Sequence, residues 1–158
     1  MTAVLSEIAI ERLGPSDPNV GRDLEIVDAL ARQEFRASAF VSREEIARPW
    51  SRIWVVRYYR DVVGFSLAWQ VVDELHLLEI SVASEFRRRG LGTALMEEFI
   101  RFAKNASVRK AFLEVRSSNR AAIELYKKME FEAISVRHAY YPDGEDALEM
   151  MRLFAPAT

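Results

Sequence analysis

Arg87-Arg88-Arg89-Gly90-Leu91-Gly92-Thr93 is the segment of this chain with the most concentrated chemistry. It follows an apolar, β-branched run and opens an amphipathic one, so its glycines stand where a helix begins. A helix N-terminus presents unpaired N–H groups and a partial positive charge. Glycines let the backbone approach an anion closely, and arginines add charge-assisted hydrogen bonds. Together they suit a pyrophosphate. A Walker loop is excluded, because no Lys-Ser/Thr follows the glycines. A dinucleotide fingerprint is excluded as well, because position 95 is Leu where the third glycine or alanine belongs. Taken alone, the segment fits a solvated basic loop ahead of a helix equally well.

Glu114 is a candidate proton acceptor. It lies in an apolar strand run, with Phe112 and Arg116 on its own face. Desolvation among Phe112, Leu113 and Val115 would raise its pKa toward that of a general base. An ion pair with Arg116 would lower it instead, and spacing alone favours that pair. His76, in a strand, reads as structural. His138, beside Tyr140 and Tyr141, reads as a surface loop residue or a groove wall. The two tyrosines could contact a peptide at low entropic cost or pack on the last strand. Trp50, Trp54 and Trp69 read as core or sheet-face residues. The chain has no cysteine and 2 histidines, which removes disulfides, thiolate metal sites and a Cys nucleophile. No metal is expected.

These groups must be positioned by one domain's length of chain. The 158 residues are 50% hydrophobic and 29% charged, with a net charge of -2. That composition is globular and argues against direct nucleic-acid binding. The longest mostly apolar stretch, residues 62–72, is far short of the roughly 20 residues of a spanning helix, and no signal peptide is evident. A cytoplasmic protein, with no membrane contact, is expected.

Residues 4–13 read as a first strand, ended by Gly14-Pro15-Ser16-Asp17-Pro18. Leu24, Val27, Leu30 and Ala31 predict a helix over 20–35. Ser42 opens a second, short helix, with Glu45 completing a capping box and Pro49 marking its end. Strands follow at 53–59, 62–71 and 75–82. The glycine loop then opens a helix that buries Leu91, Leu95, Met96, Phe99 and Phe102. A strand at 111–116 leads to a helix capped by Ser117-Ser118-Asn119 and running to about residue 130. Strands at 131–137 and 147–154 flank the Tyr140–Gly144 loop. The order β-α-α-β-β-β-α-β-α-β-β is an α/β layout with a mixed sheet.

Arg-Arg-Arg-Gly-Leu-Gly resembles the [RQ]-x-x-G-x-[GA] signature of the GNAT (GCN5-related) N-acetyltransferases. So do Leu78-Glu79-Ile80-Ser81-Val82, Leu113-Glu114-Val115-Arg116 and the run from Asn119 to Tyr126. Together with Met129-Glu130-Phe131 and Arg137-His138-Ala139-Tyr140-Tyr141, they are similar to the RimI-like branch, over residues 75–154. The resemblance implies a single GNAT domain over residues 1–158, α+β in class, with a mostly antiparallel seven-stranded sheet and about four helices. Helices within about 18–50 would face the substrate, and 75–130 would form the acetyl-CoA core. Acetyl-CoA would be the co-substrate. The acceptor would be a protein N-terminus, a ribosomal protein's alanine in that branch, and the enzyme a monomer or weak homodimer.

By the same resemblance, Ile80, Ser81 and Val82 would offer backbone groups to the pantetheine arm. Arg87, Arg88, Arg89, Gly90, Leu91, Gly92 and Thr93 would cradle the pyrophosphate, and Asn119 would hydrogen-bond the cofactor. Glu114 would be the general base and Tyr126 the general acid. Phe40, Arg137, His138, Tyr140 and Tyr141 would meet the substrate. Two departures stand out. A Pro-Trp-Ser occurs at residues 49–51 rather than directly after Phe40, and Glu130 replaces a customary glycine.

The chemistry is consistent with this set. Without a cysteine to take the acetyl group first, direct attack in a ternary complex is the economical route. Tyr126 shares a helix face with Asn119 and Ile123. It could reach the sulfur, or it could be a core aromatic. A phenol of pKa ~10 is a weak acid toward a thiolate of ~8.5, so hydrogen bonding would be its main contribution. An α-amine, at ~7.7–8.0, is easier to deprotonate than lysine at ~10.4 by ~3.4 kcal/mol. A small amine or polyamine, drawn by Asp143, Glu145 and Asp146, is an alternative acceptor. A non-catalytic acyl-CoA-binding protein is another reading, and nucleic-acid binding through Arg87–Arg89 a fourth.

Overall fold

Burial alternates along the strand Lys110–Arg116: Ala111, Leu113 and Val115 are buried, while Phe112, Glu114 and Arg116 are only partly covered. That alternation sides the whole sheet. The structure, a computed structural model, describes residues 7–34 and 41–156. In chain order the elements are β1 (Ile8–Arg12), α1 (Val20–Glu34), α2 (Ser42–Ile46), β2 (Ser51–Tyr58), β3 (Asp61–Val71), β4 (Glu74–Val82), α3 (Leu91–Asn105), β5 (Lys110–Arg116), α4 (Arg120–Lys128), β6 (Glu132–Arg137) and β7 (Ala147–Leu153). A single 3-10 turn, Ser84–Phe86, follows β4.

The strands form one seven-stranded sheet in the order β1-β2-β3-β4-β5-β7-β6. Every neighbouring pair is antiparallel except β4 with β5. This is the expected mixed, mostly antiparallel α/β architecture with four helices among the described residues. The helix α3 closes one face. Its Leu95, Met96 and Phe99 are fully buried against Trp54, Leu75, Leu113 and Met150, with Tyr126 of α4 and Phe131 beside them. Each such side chain contributes about 1.5–3 kcal/mol. The helix α1 closes the other face with Leu24, Val27, Leu30 and Ala31 over Ile53, Val55, Phe65 and Leu67.

Several sequence expectations need correction. Phe102 is not on the deeply buried stripe of α3; Ile100 and Ala103 are. Phe102 instead lies at its margin, edge-on to Trp54 at 5.3 Å. The capping box of α2 does not form, because Ser42 is the first helical residue and Val41 is the cap. The Ser42 hydroxyl donates to the Leu24 carbonyl at 3.1 Å, tying α2 to α1. Glu45 turns inward to accept from Trp69 Nε1 at 2.8 Å, Arg48 at 2.9 Å and Ser51 at 3.1 Å. The β2–β3 turn manages without glycine because Tyr59 takes φ 54, a conformation uncommon outside glycine.

Candidate active site

The site opens where the sheet stops pairing. Strands β4 and β5 are in register only at Glu74–Lys110, Leu75–Ala111 and His76–Phe112. Just beyond, β4 carries a bulge: Ala68 opposes Leu77 and Leu67 opposes Glu79, so Leu78 has no opposite residue. A bulge bends and twists its strand. The extra residue also resets the alternation, so Leu75, Leu77, Ile80 and Val82 all pack toward the α3 core. His76 and Glu79 are left on the other face, beside Trp69 and Leu67. The two strands splay around a cavity of about 460 Å³.

The cavity collects residues from five elements. Leu77 to Ile80 come from β4, Phe112 to Arg116 from β5, and Asn119, Ala122 and Tyr126 from the cap and body of α4. Arg137, Tyr140, Tyr141 and Glu149 close it from β6, the following loop and β7. Of the residues picked out from sequence, Ile80, Glu114, Asn119, Tyr126, Arg137, Tyr140 and Tyr141 are thus brought together. His138 is not: its side chain is 84% exposed and pairs with Asp146 at 3.4 Å. Phe40 lies outside the described residues.

Glu114 does not pair with Arg116, the partner that spacing favoured. Arg116 reaches the β6–β7 loop, binding Asp143 at 2.8 Å and Glu145 at 3.0 Å and covering the Tyr141 ring at 4.1 Å. The cation near Glu114 is Arg137, whose Nε is 3.2 Å from Oε1. The Tyr140 hydroxyl donates to the same carboxylate, which pushes the Tyr140 pKa up to about 12. Tyr126 is buried beside Phe131, and burial, with a smaller contribution from Tyr141, pushes its phenol up to about 12. It therefore keeps its proton throughout the neutral range. The loop acids are already engaged: Asp143 and Glu145 by Arg116, and Asp146 by the Ala139 N–H at 2.9 Å.

The glycine loop lies past the end of β4 and lines a different part of the surface. Gly90 takes φ 79 and caps α3 without any side-chain hydrogen bond. A Cβ at Gly90 or Gly92 would meet nothing within 4 Å. Open space therefore faces the free N–H groups at the start of a 15-residue helix with no acidic residue in its first turn. Arg87 Nε donates to the Val82 carbonyl at 3.1 Å, fastening the loop to the strand, and Arg89 lies 5.1 Å over the Phe86 ring. This geometry fits a pyrophosphate. The Asn119 Oδ1 accepts from Ala122 N at 3.2 Å as the α4 cap, leaving its amide NH2 available to the cavity.

The model of the "Acetyltransferase (GNAT) family" matches residues 24–131. The chain belongs to the GNAT acetyltransferase family. It is 44% identical over 93 residues to the N-alpha-acetyltransferase of Saccharolobus solfataricus, covering 56% of each chain. The match spans little more than half the length of such curated relatives. Against the crystal structure of the ribosomal-protein-S18-alanine N-acetyltransferase from Escherichia coli, the TM-score is 0.79 at 31% identity, covering 96% of both chains. The Arabidopsis thaliana NAA60 structure in complex with acetyl-CoA gives 0.79 at 21% identity, over 93% of this chain and 99% of that one. That likeness is one of fold.

Within the GNAT frame, the departure at Glu130 has a physical reading. Glu130 takes φ 67, the left-handed conformation that the customary glycine adopts freely. Its carboxylate is 3.0 Å from Arg152 Nη2, a contact glycine could not make. Among the cavity residues that the sequence did not assign to the site are His76, Glu79, Phe112 and Glu149. The strict alternation of β7, in which Leu148, Glu149 and Met150 change face in turn, was the available signal for Glu149. For Glu79 there was none, because a bulge of one residue decides its face.

Proposed function

We propose that this chain transfers the acetyl group of acetyl-CoA to the α-amine of a protein N-terminus, by direct attack in a ternary complex. The observation that carries the reading is the single cleft between β4 and β5. It holds a carboxylate, Glu114, and a protonated phenol, Tyr126, around one cavity, and β4 leads from it to the glycine loop. The full chain, residues 1–158, works as one acetyltransferase domain, and its acceptor is a ribosomal protein beginning with alanine. The names of the relatives support that choice. It acts in the cytoplasm as a monomer or weak homodimer, without metal.

Each residue has a defined task. Arg87 to Thr93 hold the pyrophosphate against the start of α3. The backbone of Ile80, Ser81 and Val82 receives the pantetheine arm as a neighbouring strand would, and Asn119 contributes its amide. Glu114 takes the proton from the incoming ammonium, so that the amine attacks as a neutral nucleophile. Tyr126 hydrogen-bonds the sulfur as negative charge develops on it. Tyr140 and Tyr141 flank the peptide's first residues.

The test is acetyl-CoA turnover, read as free thiol release, on short peptides differing in their first residue, with spermidine and free lysine alongside. Fast turnover on the alanine-first peptide and none on the amines is expected. Turnover on the amines alone would overturn the acceptor assignment. Tight acetyl-CoA binding with no turnover on any of them would overturn catalysis.

A further inference from the structure

Strand register sets Glu114 of β5 directly opposite Glu149 of β7. Like charges so placed repel, and both are largely covered, with side chains 27% and 18% exposed. Arg137, at the end of β6, lies between them. Its Nη2 donates to Glu149 Oε2 at 2.8 Å, while its Nε stands 3.2 Å from Glu114. The first contact is a hydrogen bond and the second is charge attraction. Ser135 Oγ donates to the other Glu149 oxygen at 3.2 Å. Glu149 is therefore held at both oxygens by β6, whereas the Arg137 side chain is 51% exposed and has a weaker second contact to give up. The other groups that face this pair are His76 and Glu79 of β4, Tyr140, which donates to Glu114, and Arg116, already engaged by Asp143 and Glu145.

A guanidinium beside Glu114 occupies the place an acceptor's ammonium must take. We propose that Arg137 stands in for the acceptor ammonium and withdraws onto Glu149 when the amine arrives, with Glu149 as the positioning residue that makes the exchange possible. The inference rests on the reading of Glu114 as the base. Its consequence is that Glu114 is charge-paired at every stage, and the guanidinium leaves it only when an amine is there to give up a proton. The proton leaving the amine nitrogen then passes to the Glu114 carboxylate and on to solvent. Neutral or acidic N-terminal groups cannot displace Arg137, so the exchange also selects for a cationic acceptor.

The test is calorimetric affinity, with CoA present, for an alanine-first peptide and for its α-acetylated counterpart. Glu149→Gln leaves Arg137 with Glu114 as its one carboxylate. Affinity for the free-amine peptide should fall about tenfold, the effect of one strengthened charge pair. Arg137→Ala should leave affinity equal to or above that of the original protein, and the double variant should recover what Glu149→Gln lost. Affinity for the acetylated peptide should not change in any of them. In turnover, Glu149→Gln should raise KM for the peptide more than it lowers kcat. A double variant weaker than Glu149→Gln, or an Arg137→Ala loss of similar size, would overturn the exchange and make the trio a structural network. Melting temperature and CoA affinity report folding separately. The exchange pattern without turnover would refute catalysis alone, and turnover without the pattern would refute the exchange alone.

Discussion

Replacing Tyr126 with Phe removes one oxygen from a buried side chain and nothing else. The phenol is held at about 12 by burial, whereas a thiolate leaves with a pKa of ~8.5. Full proton transfer would run uphill by about 3.5 units, or about 4.8 kcal/mol. The role proposed for the hydroxyl is therefore that of a hydrogen-bond donor to developing negative charge, worth about 1.5–3 kcal/mol. Tyr126→Phe should lower kcat by about 10- to 150-fold, with acetyl-CoA affinity unchanged. The ring still fills its place against Phe131, and a near-isosteric change costs under about 1.5 kcal/mol. The melting temperature should then move by less than about 5 °C. Thiol release under saturating peptide measures the first quantity and calorimetry the second. A kcat within twofold of the original, or a collapse of melting temperature with kcat retained in the folded fraction, would refute the donor role and leave Tyr126 a core aromatic.

Other perturbations address other parts of the site. Glu114→Gln should cost about 10²- to 10⁴-fold in kcat/KM at pH 7, shrinking as pH rises past the amine's own pKa of ~8; a loss constant across pH would assign the base elsewhere. Gly92→Asp has room for its Cβ and complements the helix dipole, so folding should be intact while acetyl-CoA affinity falls about tenfold or more by repulsion. Retained affinity would remove the phosphate role of the loop. Gly64→Ala would set a Cβ 2.8 Å from Val56 Cγ1 and 2.9 Å from the Ser81 carbonyl oxygen. It should lower the melting temperature by about 3–10 °C, from about 1–3 kcal/mol of overpacking. Asp143, Glu145, Asp146 and Glu149 all have carboxyls below their ordinary range, through backbone, Ser118 and arginine hydrogen bonds. Their contribution is complete above the unfolded values near 3.8–4.5 and is lost as pH falls through the lower folded values. The protection of the Ala139 N–H, bonded to Asp146, relative to its intrinsic exchange rate should fall there; protection unchanged down to full protonation would contradict this.

Much of the fold was legible because its signals are local. The period of Leu24, Val27, Leu30 and Ala31 marked α1, and the glycine pair marked the start of α3. Asn119 marked the start of α4, where it does accept from Ala122. What escaped depends on contacts between distant segments. Ser42 and Glu45 carry the pattern of a capping box, but tertiary partners on α1 and β3 claim both side chains. Arg116 is near Glu114 in sequence, yet the acidic β6–β7 loop offers it two carboxylates and a ring, which outbid one neighbour on its own strand. Glu79 enters the site through a bulge, a property of pairing that no single strand displays, and Glu149 meets Glu114 only through the β5–β7 register.

The three residue pairs between β4 and β5 have a further meaning. A sheet normally ends at its edges, where unpaired N–H and C=O groups invite foreign strands. Here two such edges are turned toward each other inside the molecule, joined at one end and parted at the other. Helices pack on both faces of the sheet around the mouth between them. The pantetheine arm of the proposed co-substrate, laid into it, would complete a ladder that the chain leaves unfinished. On the proposed function, the hazard of an open edge has become a slot for the cofactor.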